Sequence, residues 1–387
     1  MIYSIKMNTE RMDGHLDKAP KILILTGSYG NGHLEVTRAL IEELHRVGIK
    51  DITTSDLFYE AHPIVTTVTK YLYIKSFTRY RNLYGFLYYN FDNQLKEHSF
   101  DKFTDSYGYI RLNQLMKNND FDLVINTFPM QVFPAYKKKV GKRIPFVNVL
   151  TDFCLHTRWV SKEIDHFFVS CDHLKTELIE SGIPKETITI SGIPIKEQFY
   201  LENQEKAQKM TSPSSKKNLL ISAGAYGVLT NLADILEELQ SKEDLNIVVV
   251  CGNNKNLFDS LSTQFADQPT IEIKGFVSEM AKLMSHADIM ITKPGGISLS
   301  EALAIQTPLI LTPGVPGQES ENAQLFEKEC MAIVTKTEEE IIPAIYQLLK
   351  QPLLAKNLVQ HMEEHFYPHA AKTIITDSLA LAGISIN

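Results

Sequence analysis

Lys21-Ile-Leu-Ile-Leu-Thr-Gly-Ser-Tyr-Gly-Asn-Gly-His33 is the stretch on which the fold turns. Its apolar run has strand length, and runs unbroken by polar residues suit parallel strands covered on both faces. The run stops in a glycine-rich turn, and over residues 34–46 apolar side chains recur at helical spacing. Strand, glycine loop and helix together predict the opening unit of an α/β domain. Further short apolar runs at 123–126, 145–150 and 166–170 are separated by stretches of helical pattern. Strands alternating with helices imply a doubly wound parallel sheet.

The order breaks between Lys196 and Lys217. Asn203-Gln-Glu-Lys-Ala-Gln-Lys209 and Ser212-Pro-Ser-Ser-Lys216 are polar and charged, and read as an interdomain linker. A second α/β series follows, with strand-like runs at 218–222, 246–252, 270–274, 288–292 and 308–311. Residues 338–382 are helical in pattern. Two doubly wound domains in tandem, each with a glycine loop after its first strand, place a cleft between the carboxyl ends of their strands, where open α/β sheets bind ligands.

Bulk properties agree. At 387 residues the chain exceeds the size at which one core keeps growing. A net charge of -7 argues against a nucleic-acid partner. Cys154, Cys171, Cys251 and Cys330 show no CxxC spacing, as expected of reduced thiols rather than a disulfide framework or a zinc site. No apolar run reaches the roughly 18–20 residues that span a bilayer. Residues 1–20 lack the apolar segment of a secretory signal and read as a loose extension. The expectation is a protein that works in the cytoplasm.

Three loops could carry chemistry. In the first, Gly27 to His33, glycines permit close backbone approach before a helix N-terminus, which favours negative charge. It is neither a dinucleotide fingerprint nor a P-loop, since no GK[ST] follows. His33 is a reasonable general base there, imidazole titrating near neutrality, although a histidine in this position also caps helices. The second loop runs Thr292-Lys293-Pro294-Gly295-Gly296-Ile-Ser-Leu-Ser-Glu301. Its turn can present N–H groups to a diphosphate, with Glu301 about one helical turn further on. The third, from Pro313 to Ala323, gathers Gln318, Glu319 and Asn322, donors and acceptors that suit a hydroxyl-rich ligand or simply cap a helix.

With Thr151-Asp152, His156, Trp159 and Ser222-Ala-Gly-Ala225 in the same order, these loops resemble the processive diacylglycerol β-glucosyltransferases of Gram-positive bacteria. That group, in glycosyltransferase family 28, is related to the monogalactosyldiacylglycerol synthases and more distantly to the transferase that makes lipid II. The resemblance covers nearly the whole chain from Lys21. It implies a GT-B fold, two Rossmann-like domains facing a cleft, with inversion at the anomeric carbon, a UDP-glucose donor and no required metal or other cofactor. By analogy an acceptor- and membrane-binding domain spans 21–196, a linker 197–217, and a UDP-sugar domain 218–387, whose last helices return to the first domain. Phe276 would meet uracil through its backbone. Ser222, Ala223, Gly224, Lys293, Gly295 and Gly296 would surround the phosphates, Glu301 the ribose, and Gln318, Glu319 and Asn322 the sugar. His33 would be the base, with Asp152 its rival, and Asn31, His156 and Trp159 would lie on the acceptor side. Diacylglycerol and then glucosyl-diacylglycerol would accept glucose, giving membrane glycolipids that anchor lipoteichoic acid.

Residues 68–90 hold eight aromatic and four basic side chains and no Asp or Glu. A window of this length should contain about two aromatics at ordinary frequency. Phe77, Tyr80 and Tyr84 share a helical face, with Lys75, Arg79 and Arg81 mostly elsewhere, a composition suited to anionic membrane lipids. Such a stripe is also common in cores. A second basic cluster spans Lys137 to Arg143. The expectation is peripheral attachment to the inner face of the cell membrane. Two rivals are a GT-B transferase with another donor, such as UDP-galactose, or another acceptor, and a nucleotide-sugar sensor.

Overall fold

The computed structural model describes residues 19–28, 30–61, 63, 99–141, 143–209, 216–223, 231–242 and 244–385. The decisive apolar run is strand β1 (Lys21–Leu25), fully buried from Ile22 onward. It is followed by α1 (Asn31–Arg46), β2 (Asp51–Ser55), α2 (Leu57–Ala61), α3 (Ser99–Asn118), β3 (Leu123–Asn126) and α4 (Val132–Val140). Next come β4 (Phe146–Val149), β5 (His166–Val169), α5 (Asp172–Glu180), β6 (Ile188–Ile190) and α6 (Glu197–Lys209). The second half holds β7 (Lys217–Ser222), α7 (Leu232–Leu239), β8 (Leu245–Val250), α8 (Lys255–Gln264), β9 (Ile271–Lys274), α9 (Met280–His286) and β10 (Ile289–Thr292). It closes with α10 (Gly296–Ile305), β11 (Leu309–Leu311), α11 (Gln318–Lys328), β12 (Ile333–Val334), α12 (Ile341–Lys350), α13 (Pro352–Glu364) and α14 (Ala370–Leu381).

The strands form two parallel six-stranded sheets, in the orders β2-β1-β3-β4-β5-β6 and β12-β11-β10-β7-β8-β9. In the first, the chain runs from β1 out to β2 and returns on the other side of β1 as β3. In the second it runs from β7 to β8 and β9 and returns as β10. Each reversal opens a crevice at the carboxyl ends of the two strands involved. The loops after β1 and β10, both glycine-rich, therefore stand at the two switch points.

Burial on both faces explains the apolar runs. In the second sheet Leu219, Ile221, Ile247, Val249, Ile289, Ile291 and Ile310 face one core with Ile341, Ile345 and Leu358. Leu220, Val250, Met290, Leu309 and Leu311 point the other way, into a core continuous with that of the first sheet. The alternation follows the period of two along a strand. Strands β2, β6 and β12 give no such signal in the sequence. They lie at sheet edges, where one side is unpaired and few residues are fully buried.

The polar stretch after Lys196 is a helix for most of its length, not a loose connection. Phe199 and Tyr200 of α6 are buried, Lys206 donates to Ile305 O, Gln306 O and Thr307 Oγ1 at 3.3–3.4 Å, and Glu202 accepts from Ser285 at 3.1 Å. This holds α6 against α9 and the C-terminal end of α10. At the far end of the chain α14 crosses back onto α1, its Ile374, Ile375 and Leu379 joining the core of the first sheet. Tyr367 makes the crossing: its hydroxyl donates to Asp172 Oδ2 at 2.7 Å, and its carbonyl lies 2.9 Å from where a β-carbon on Gly192 would sit. Among the described residues no helix is long and apolar enough to cross a membrane.

Gly192 has φ +79, a conformation that costs a side-chain-bearing residue about 1–2 kcal/mol. Gly192→Ala is expected to lower the thermal unfolding midpoint. Gly48→Ala provides the control, since Gly48 has φ +88 with open space around it. A larger loss at Gly192 than at Gly48 would measure the contact with Tyr367.

Candidate active site

His33 is the third residue of α1, and three threonines behind it fix its place. Thr37, one turn on, donates to His33 O at 2.8 Å. Its hydroxyl also meets those of Thr26 and Thr127, each at 3.1 Å. All three are buried. The imidazole Nδ1 lies 2.7 Å from the Thr127 carbonyl and 3.1 Å from Thr151 Oγ1. A carbonyl only accepts, so Nδ1 carries the proton and Nε2 of the neutral ring is left as an acceptor. Phe128 packs edge-on at 5.0 Å between ring centroids. The first glycine of the loop, Gly27, has no room for a β-carbon, which would sit 2.4 Å from the Phe128 ring. Gly30 is extended and faces open space, and Asn31 beside it is exposed.

Across the site lies the loop after β4. Ser170 Oγ donates to Asp152 O at 2.9 Å, tying the loop to the end of β5. Burial dominates both ionisable partners: it pushes His33 below and Asp152 above their ordinary values, while their mutual attraction opposes both shifts. A histidine held neutral near physiological pH can accept a proton.

The donor-side loops meet this loop directly. Gly296, at the start of α10, lies so close that a β-carbon there would stand 2.1 Å from Thr151 O and 3.0 Å from Asp152 Oδ1. Gly295 caps α10 without any side-chain bond, leaving first-turn N–H groups for an anion. Lys293 pairs with Glu319, whose other oxygen accepts from Val315 N at 3.2 Å. Ser222 is half-buried at the end of β7 and Ala223 is buried. Phe276, after β9, is 73% exposed, an unusually bare aromatic at the carboxyl end of a strand. Gln318 begins α11.

Several predicted residues take other places. Trp159 is 1% exposed and packs in the core of the first domain, so its ring cannot line an acceptor surface. The correction has a simple cause: it sits in a short 3-10 turn, Thr157–Trp159, whose carbonyl end accepts from buried Asn148 at 3.1 Å. His156 caps that turn, accepting from Arg158 N at 3.1 Å. Asn322 is fully buried and bonds to Phe153, Asp152 and Pro294. Lys137 of the second basic cluster is paired with Asp165. Glu301 lies at the domain boundary beside Glu35 of α1 and Lys196, themselves paired at 2.8 Å. Lys75, Phe77, Arg79, Tyr80, Arg81, Tyr84 and Gly224 fall outside the described residues. Thr151 is named in the sequence only as the neighbour of Asp152, and Thr127 and Ser170 give no signal there; Thr37, four residues from His33, carries a local one. Among the described residues no group of three His, Cys, Asp or Glu side chains could hold a metal.

Comparison with known proteins adds to this geometry. A family model for monogalactosyldiacylglycerol (MGDG) synthase matches residues 33–195, and one for the glycosyltransferase family 28 C-terminal domain matches 220–374. The chain is 41% identical over 369 residues to a processive diacylglycerol beta-glucosyltransferase of Bacillus licheniformis, covering 95% of this chain and 96% of that one. It is 40% identical over 366 residues to the protein of the same name from Bacillus cereus, covering 94% of each. In fold it is similar to MurG of Acinetobacter baumannii, with a TM-score of 0.63 at 16% identity over 93% of this chain and all of the other. It is also similar to S. aureus MnaA solved with UDP, with a TM-score of 0.61 at 12% identity over 95% and 98%.

Burial first, and Glu35 next, push the Glu301 carboxyl up to about 8, with Lys196 opposing. A carboxyl that titrates higher when folded supports stability below its unfolded value of about 4.5 and loses that support as pH rises through about 8. Thermal stability is expected to decline across that window. Glu301→Gln, uncharged throughout, should flatten the decline in unfolding scans at stepped pH; an unchanged slope would show that Glu301 ionises freely.

Proposed function

The chain belongs to the diacylglycerol glycosyltransferases of glycosyltransferase family 28, and on that premise we propose that it transfers glucose from UDP-glucose to diacylglycerol, and then to the monoglucosyl product. The observation that carries this reading is His33: its Nδ1 is held by Thr127 O, its ring is kept neutral by burial, and it stands where the first domain meets the donor loops. His33 Nε2 takes the proton of the acceptor hydroxyl. The oxygen forms its bond to the anomeric carbon from the face opposite the leaving group. The bond from that carbon to the diphosphate breaks, and its electron pair stays on the β-phosphate oxygen of UDP. The product configuration is inverted. The N-terminus of α10 and Lys293 receive the departing charge, which gives the step preorganised stabilisation without calling on a metal. Phe276 marks the uracil end and Glu301 the ribose, with Gln318 and Glu319 toward the sugar. Asp152 acts on His33 by its charge.

The lipid acceptor requires a membrane face. The aromatic and basic residues of 68–90 supply its composition, and among the described residues Tyr59, Ile110 and Val140 are exposed on α2, α3 and α4, with Lys138 and Lys139 in the last turn of α4. Helix α3 packs against both α2 and α4, which puts these groups on neighbouring elements. Attachment is peripheral, to anionic lipids of the inner leaflet. Basic residues near such a surface contribute about 1 kcal/mol each. Replacing Lys75, Arg79 and Arg81 together by Gln should weaken sedimentation with anionic vesicles; unchanged binding would sink the assignment.

The test of the reaction is incubation with radiolabelled UDP-glucose or UDP-galactose and diacylglycerol vesicles, followed by thin-layer chromatography. Mono- and diglucosyl lipid are expected, with the rate in His33→Ala down roughly 10²–10⁴-fold, the usual worth of a general base. Label transferred only from UDP-galactose would replace the donor. No lipid product from either would overturn the acceptor.

A further inference from the structure

We propose that Asn322 is a positioning residue through which the donor domain fixes the carboxylate of Asp152 beside the acceptor base His33. The inference rests on the reading of His33 as base and concerns how that base is controlled.

Asn322 lies on α11, in the second domain, and is fully buried. Its carbonyl oxygen accepts from the Phe153 N–H at 2.8 Å, and its amide nitrogen donates to Asp152 Oδ1 and to Pro294 O, each at 3.1 Å. One side chain thus joins the loop after β4, the turn before α10 and the first turns of α11. Phe153 is seated beside it, edge-on to Phe326 of α11 at 5.1 Å. Thr151, Asp152 and Phe153 are consecutive, and each is held from both sides of the boundary. Thr151 touches His33 through its hydroxyl and Gly296 through its carbonyl. Asp152 is anchored by Ser170 in its own domain and by Asn322 in the other. Its carboxylate therefore takes its orientation from a residue of the donor domain.

The consequence for the base follows from charge. Burial acts most strongly on His33 and disfavours its protonated form, while Asp152, the Thr127 carbonyl and Asp56 favour it. Those that act on Asp152 are His33 and Lys293, which favour its ionised form, and Glu319, which opposes it. The Asn322 amide adds a hydrogen bond to the ionised form. Without Asn322, Asp152 stays buried, the influence that raises it most, and loses that donor. A carboxyl that then keeps its proton no longer raises the basicity of His33.

The test is a pH–rate profile of kcat and kcat/KM with UDP-glucose and diacylglycerol vesicles, for wild type, Asn322→Ala, Asp152→Asn and the double variant. In Asn322→Ala the acidic limb should move to lower pH by roughly half a unit or more, and kcat should fall about tenfold with a smaller change in KM for the donor. Asp152→Asn should move the limb the same way, and adding Asn322→Ala to it should move it no further, because the two act in series. Asn322→Leu, close in volume and without a donor, should displace the limb in the same direction and serves if Asn322→Ala fails to fold. An acidic limb that stays in place in Asn322→Ala and Asn322→Leu, or that shifts again in the Asp152→Asn background, would overturn the proposal. A wild-type protein that makes no glycolipid would instead overturn the function on which it rests.

Discussion

The backbone of Gly296 lies against the Thr151 carbonyl with no room for a β-carbon, and most of the site depends on that approach. Two domains with separate sheets could meet through long side chains across a wide gap. Here they meet backbone to backbone at one point, and the neighbouring groups arrange themselves around it. Asn322 can bridge to Phe153 and Pro294 only because those segments are already within a few ångströms. Within the second domain Gly314 is similarly tight, since a β-carbon there would stand 2.9 Å from the backbone of Glu319 and 3.0 Å from Pro294. The glycines of the donor loops are therefore a requirement of packing as well as of any ligand, and one substitution there acts on both.

The same closeness sets the electrostatics. Bringing loops together over His33 and Asp152 removes water from both, and the loss of hydration outweighs their attraction. The imidazole is left neutral, with its tautomer chosen by a carbonyl at the end of β3. That carbonyl is in place because β3 is hydrogen-bonded to β1 from Ile22 to Leu25, one strand before the glycine loop. The geometry of a proton transfer thus traces back to strand register at the centre of the first sheet.

Strands buried on both faces are legible in a sequence because every residue must be apolar, so β1, β3, β8 and β10 declare themselves without reference to their neighbours. Edge strands such as β2, Asp-Ile-Thr-Thr-Ser, obey no such rule, and neither does a helix such as α6 that hides two aromatic anchors in a polar stretch. At the site, residue type and position relative to a glycine turn point to His33, Lys293 and Gly296, whereas Asp152 enters only through the family resemblance. What spacing cannot supply is direction. Trp159 has the character of a binding residue but turns inward. His156 has the character of a base but caps a turn. Asn322 has the chemistry of a sugar contact and makes its bonds across a domain boundary, a fact fixed by distances between segments about 170 residues apart.

The return of α14 onto α1 bears on how such proteins can be recombined. The last helix is part of the first core by packing, though it follows the second in the chain, so the covalent and the structural boundaries do not coincide. A chimera that joined the first half of this protein to the second half of a relative at a single crossover near α6 would leave α1 facing a foreign helix, and Gly192 facing a foreign carbonyl. Exchange of donor domains should succeed only as an insertion, with residues from about Tyr367 onward kept with the first half. Such a helix makes inheritance of the two halves a joint affair, and substitutions on α1 and α14 are free to vary only as a pair.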